Sequence, residues 1–323
     1  MNEENLQQTP PQTDSPDRSS SVYRAGEQQR IGIGERVAYF ILSLAPTILC
    51  WILQIIIISI VWFLVIFSAL ESGELDMDSS FFTESWNLLR FSSHPTLRIF
   101  LYQVIGLFVF GLWYYLSFRK PRPTVKATIR KTTLPAILVA VICGVALCFF
   151  ANGTAIIGYI FRPEIAGNYS QHTEQAGIGV NILAIFSSVI LAPIGEEFSF
   201  RGLTLKFAKK SFGKFWLANL LQAFLFGASH GNWVQGIHTF FIGLVLCCLA
   251  ERYQTLLPCI VLHFVVNFSS ATWVRALIHA VSGNEFPSLF AGLAMMIVSA
   301  IVVVALLYKT KKPKGLYKGL RNS

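Results

Sequence analysis

Three short stretches of this sequence carry side chains that apolar runs rarely tolerate. Glu196 and Glu197 stand side by side in the run that begins at Val180, and Arg201 follows four residues after Glu197. His230 closes Phe226-Gly227-Ala228-Ser229-His230, and His263 and Asn267 are four apart in His263-Phe264-Val265-Val266-Asn267. A charged side chain at a bilayer centre costs on the order of 2.5 to 3.5 kcal/mol even on a lenient insertion scale, so three together need partners or a purpose. A helix turns about 100° per residue, which puts Glu197 and Arg201 on one face and turns Glu196 away from both. That spacing assigns Glu197 to an ion pair with Arg201 and leaves Glu196 free to take a proton from water. His263 and Asn267 also share a face, and donors aimed together suit a developing oxyanion.

The elements that must position these groups are membrane helices. Of 323 residues, 54% are hydrophobic and only 13% charged, against roughly 25% charged in ordinary soluble domains. The mean hydropathy is +0.55. The fold class this implies is all-α: a polytopic transmembrane helix bundle of about eight spans, with apolar runs at 44–69, 99–118, 134–160, 180–204, 215–231, 235–250, 255–272 and 287–308. The third run is long enough to tilt or break at Gly153, and the sixth and seventh are shorter than a full span. Residues 1–35 read as a disordered polar tail, 36–175 as N-terminal spans, 176–272 as the core that holds the three stretches, and 273–323 as a last span with a basic tail. The first run lies beyond the tail and is too long for a signal peptide, so it is expected to stay as an anchor.

The net charge of +9 does not point to nucleic acid, because the basic residues sit in short gaps between apolar runs. Twenty-two of the 26 Lys and Arg fall on one side of the alternating runs, and only Arg90, Arg98, Arg162 and Arg275 on the other. By the positive-inside rule both termini face the cytoplasm. The acidic 71–97 segment agrees. The six cysteines all lie inside apolar runs with no CxxC pair, so disulfides and a thiolate zinc site are not expected. His238 reads as an interhelical hydrogen bond, and His94, His172 and His279 fall in loops or near span ends.

Three functional classes fit buried carboxylates and histidines: a membrane hydrolase, a non-enzymatic immunity or scaffold protein that keeps the ion-paired core for folding, and a proton-coupled transporter. Transport predicts repeated halves and discontinuous helices, and no repeat is evident. The order Glu-Glu-x-x-x-Arg, Phe-x-x-x-His, His-x-x-x-Asn on three separate runs favours a site.

Over residues 180–270 the sequence resembles the CPBP family, which unites CAAX prenyl proteases of the Rce type with bacterial Abi proteins of bacteriocin processing and immunity. The likeness rests on Gly195-Glu196-Glu197-Phe198-Ser199-Phe200-Arg201-Gly202, Phe226 to Gly231, and the run from Gly243 through Glu251-Arg252 and Leu257-Pro258 to Asn267. It implies an intramembrane endopeptidase in which Glu196 and His230 activate water, His263 and Asn267 hold the oxyanion, and Glu197 and Arg201 keep the site in shape. The substrate so implied is a membrane-associated or lipidated peptide, CAAX-type or bacteriocin-like. The partners are that peptide and membrane lipids, and the setting is a multi-pass cell membrane protein. The 243–267 run is more like bacterial members, which makes a bacterial plasma membrane the expected location. The family is often labelled metalloprotease. His230, His263 and Glu196 could in principle hold Zn(II), but there is no His-Glu-x-x-His, and a metal there would take up the only base. No cofactor is therefore expected.

The charge asymmetry generates a direct test. Reporter fusions after Arg130 and at Ser323 are expected to read cytoplasmic and one at Asp78 external. A cytoplasmic signal at Asp78 would overturn the arrangement.

Overall fold

The computed structural model describes residues 31–75, 77, 80, 81, 83, 84, 95–117, 134–164, 181–271 and 289–310. The polar tail before residue 31, the 119–131 basic loop, most of the acidic 71–97 segment, His94, His172, His279 and Trp273 lie outside the described residues.

Eight helices make up the described chain: α1 (Ile33–Ser72), α2 (Pro95–Ser117), α3 (Leu134–Phe161), α4 (Ile182–Phe212), α5 (Phe215–Ala228), α6 (Trp233–Tyr253), α7 (Leu257–Ala271) and α8 (Leu289–Lys309). Six of them, all but α5 and α7, are long and apolar enough to cross a membrane. The molecule is thus a helical membrane bundle. The sixth helix, expected to be short, runs 21 residues, because its last turn contains Glu251 and Arg252, which an apolar run excludes but which are paired. Lys209 at the end of α4 meets Glu251 at 2.6 Å, and Arg252 bonds Thr310 at the end of α8. The short helices are the fifth and seventh, at 14 and 15 residues. α5 stops at Ala228 because Gly231 turns the chain at φ +65° before Asn232 caps α6, accepting from the backbone N–H groups of Val234 and Gln235.

α3 is the central post. It packs against α6, α7 and α8, and its buried face is built from small residues, among them Ala136, Ala140, Cys143, Gly144, Ala151 and Gly153. Small residues let helix backbones approach closely where lipid supplies no hydrophobic drive for association. Gly153 does not break α3. A Cβ there would lie 2.7 Å from the Gly292 carbonyl oxygen, so its role is contact with α8. α4 sits across from this post with α1 and α2 against its outer side. Cys50 of α1, Phe110 of α2, and Leu203 and Phe207 of α4 close a separate apolar cluster there. All six cysteines are free, and His238 meets Thr154 of α3 at 3.3 Å.

The Gly153 contact predicts a stability difference. Gly153→Ala is expected to cost about 1 to 3 kcal/mol through overpacking and to lower Tm in detergent. Gly111→Ala, where the nearest atom to a new Cβ is 3.9 Å away, is expected to leave Tm unchanged.

Candidate active site

α4 is not a uniform α-helix. Its turns widen to π-helical winding over Ser187–Leu191 and again over Glu197–Thr204, with one α-helical turn, Ala192–Glu196, between them. Pro193 accounts for the first widening, since a proline inside a helix has no N–H to donate and its ring presses on the carbonyl of the preceding turn. Such segments free backbone carbonyls and recur at functional sites. One freed carbonyl is used here: Asn267 of α7 donates its side-chain N–H to the Ser188 oxygen at 2.8 Å.

The second widened segment carries the charges. Arg201 Nη1 lies 2.9 Å from Glu197 Oε1 with both side chains wholly buried, and Arg201 Nη2 reaches the Gly243 carbonyl of α6 at 3.5 Å. Its guanidinium carbon stands 4.4 Å above the centre of the Phe226 ring, a cation–π contact that gains strength in a desolvated setting. His263 Nδ1 donates to the same Glu197 oxygen at 3.0 Å. Its Nε2 stands 3.6 Å from Glu196 Oε2. One imidazole therefore bridges the two carboxylates that the α-helical angle of the sequence reading turned apart.

Phe226 is the wall of this chamber. Its ring meets His230 edge to face at 5.0 Å, His263 at 5.8 Å and Phe200 at 5.0 Å. His230 Nδ1 donates to the Phe226 carbonyl at 2.8 Å, which in the neutral ring leaves Nε2 as the acceptor. His230 thus joins the cluster through Phe226 rather than by an ion pair with Glu196. Asn267, one turn beyond His263, is held on Ser188 and not on the point His263 faces.

Two residues that the sequence reading passed over hold α5 in place. Asn219 and Gln222 are fully buried. Gln222 Nε2 donates to the Gly243 carbonyl at 3.0 Å and to Asn219 Oδ1 at 3.0 Å, and Asn219 donates to the Leu244 carbonyl at 3.2 Å. A Cβ at Gly243 would lie 3.1 Å from Ala223 Cα, so only glycine lets α5 and α6 close enough for Gln222 and Arg201 to share that carbonyl. Residues 219, 222, 226 and 230 form one stripe along α5 and its end, which is the signal that could have found them.

Glu196 differs from its neighbour. Both carboxylates have an Oε2 buried with no hydrogen-bond partner among the described residues, but Glu197 is wholly buried whereas 21% of the Glu196 side chain is accessible. It lines a cleft with Cys50, Tyr102 and Ser199. Among the described residues, no three His, Cys, Asp or Glu side chains gather as a metal-binding set.

A buried carboxylate and imidazole cluster inside a helical membrane bundle fits a membrane hydrolase, and a family match is what points to a peptidase. Residues 178–269, which run from α4 into α7 and include every residue of the cluster, match the family described as type II CAAX prenyl endopeptidase Rce1-like. Helices α1 to α3 and α8 lie outside the match. No curated protein and no solved structure matches the chain.

The two carboxylates are expected to separate by stability. Glu197→Gln and Arg201→Ala each strand a buried charge, at about 3 to 5 kcal/mol, and lower the folded yield in detergent. Glu196→Gln keeps most of it. Thermal melts with Glu196→Gln as the least stable of the three would reverse these roles.

Proposed function

We propose that this protein hydrolyses a peptide bond in a lipidated, CAAX-type peptide within the membrane, using water activated by Glu196 and His230 without a bound metal. The observation that carries the reading is the accessibility of the Glu196 carboxylate: it lines the cleft with 21% of its side chain accessible, its Oε2 makes no hydrogen bond, and His263 Nε2 stands 3.6 Å from that oxygen. A base must be reached by the water it activates, and Glu197, bonded to Arg201 and His263 through Oε1, is wholly buried.

The steps follow from the donors. A water held by Glu196 and by His230 Nε2 loses a proton to Glu196 as its oxygen bonds to the scissile carbonyl carbon. The oxyanion so formed takes a donor from His263 Nε2, and a second from the Asn267 amide once substrate binding turns it away from the Ser188 carbonyl. His263 already gives Nδ1–H to Glu197, so donation through Nε2 requires both ring protons. With that imidazolium, the charges of Glu196, Glu197, Arg201 and His263 balance. The intermediate then collapses, the C–N bond breaks, and Glu196 returns its proton to the leaving amine.

The test uses purified full-length protein and a fluorogenic peptide that carries a farnesylated cysteine followed by three residues. Wild type is expected to cleave it and Glu196→Gln to be inactive. His263→Ala and Asn267→Ala are expected to lower kcat by about 10²- to 10³-fold each. Equal rates in wild type and Glu196→Gln would overturn the reading. Prolonged chelation is expected to leave the rate intact. Stoichiometric zinc lost together with activity, and restored with it, would instead make His230, His263 and Glu196 ligands.

A further inference from the structure

Between residues 37 and 58, α1 is apolar on every face but one. Ser43, Thr47, Cys50 and Gln54 recur at the spacing of a single helical stripe, and the first three are buried, while Ile48, Trp51, Ile52 and Ile55 on the other faces are exposed. The stripe packs on the widened turn of α4 that follows Glu196. Cys50 Sγ lies 3.9 Å from Ser199 Oγ, and the Tyr102 hydroxyl of α2 is within hydrogen-bonding reach of Cys50 and Gln54. The hydroxyls of Thr47 on α1 and Thr204 on α4 are buried with no hydrogen-bond partner among the described residues. Buried hydroxyls are nearly always bonded, to protein or to ordered water.

The stripe leads to the cleft at Glu196. That cleft is lined by Cys50, Tyr102, Gly106, Ser199 and Glu196 among others, and has room for about one water molecule, too little for a peptide. A water there meets the usual requirement of two to four polar partners, from Glu196, Tyr102 and Ser199. None of the α1 and α2 residues lies in the family segment.

We propose that α1 and α2 build a hydration seam, running from the Ser43 end of α1 along Thr47 and Cys50 to the cleft, which supplies Glu196 with the water that hydrolysis consumes. Each turnover takes one water from a site enclosed by apolar helices, so a supply route is a requirement of the chemistry. Tyr102 and Ser199 are positioning residues that hold the last water against the carboxylate. The seam rests on the hydrolytic reading of Glu196, but its hydration can be measured without turnover.

Thiols reached by water convert from S–H to S–D in D₂O, and the S–D stretch falls in a region of the infrared spectrum clear of protein bands and of the O–D stretch that covers S–H. Spectra of the full-length protein are recorded after transfer to D₂O, with each band assigned from Cys50→Ala and Cys143→Ala difference spectra. Cys143, fully buried in the α3 core, is the dry reference. Cys50 is expected to exchange at least about tenfold faster than Cys143 despite its 3% exposure. Two independent variants narrow the route. Thr47→Val keeps size and removes the hydroxyl. Gly106→Leu fills the cleft from a position where a new Cβ meets only the Phe110 ring, at 3.7 Å. Both are expected to slow Cys50 exchange and to lower kcat by about tenfold with KM little changed. Tyr102→Phe is expected to lower kcat likewise and to shift the pH profile of kcat, which a packing defect alone would not. Cys50 exchange no faster than that of Cys143 overturns the seam whatever the activity. Slowed exchange with an unchanged hydrolysis rate overturns its role in supply. Fast Cys50 exchange in a protein that cleaves no peptide upholds the hydrated seam and removes both its supply role and the peptidase reading.

Discussion

The site depends on one ion pair. Arg201 and Glu197 are both cut off from water, and a desolvated pair is costly unless further groups answer its charges. Their partners come from three other helices: the Gly243 carbonyl of α6, the Phe226 ring of α5 and the His263 imidazole of α7. Removing any of these leaves part of a charge unanswered in low dielectric. The pair therefore fixes where α5, α6 and α7 stand relative to α4, and Glu196, His230 and His263 are placed as a result.

This dependence explains a division between adjacent residues. Glu197 is bonded to Arg201 and His263 through Oε1 and is wholly buried, whereas Glu196, one position earlier, is partly accessible at the cleft. His263 stands between them with a different ring nitrogen toward each. The widened winding of α4 contributes here as well. It frees the Ser188 carbonyl that holds Asn267, so α7 is tied to α4 at two levels, one ionic and one through backbone.

The helices were legible in the sequence because length and apolar content decide what can cross a bilayer, and all eight runs correspond to helices. The Glu197–Arg201 pair was legible because a four-residue spacing survives modest changes in winding. What was not legible has physical causes. Hydropathy is blind to π-helical winding, and Pro193 was its only local sign. Asn219 and Gln222 carry no charge, so they do not stand out in an apolar run, and their role appears only when the carbonyls of Gly243 and Leu244 are brought across from α6. The end of α6 was misplaced because Glu251 and Arg252 look like loop residues until Lys209 and Thr310 are seen to meet them. The position of Asn267 on Ser188 requires a freed carbonyl that a regular helix would not offer.

The shortness of α5 has a consequence for the surrounding lipid. Its 14 residues span about 21 Å at 1.5 Å per residue, against about 30 Å of hydrocarbon in an average bilayer. Trp216, Leu217, Leu220 and Phe224 on its outer face are exposed, so acyl chains meet this short stripe directly. Hydrophobic mismatch of this sign draws headgroups inward, at a cost of a fraction of a kcal/mol per Å. Membrane thinned beside the helix that leads to His230 brings the headgroup region nearer to the depth of the Glu196 and His263 cluster.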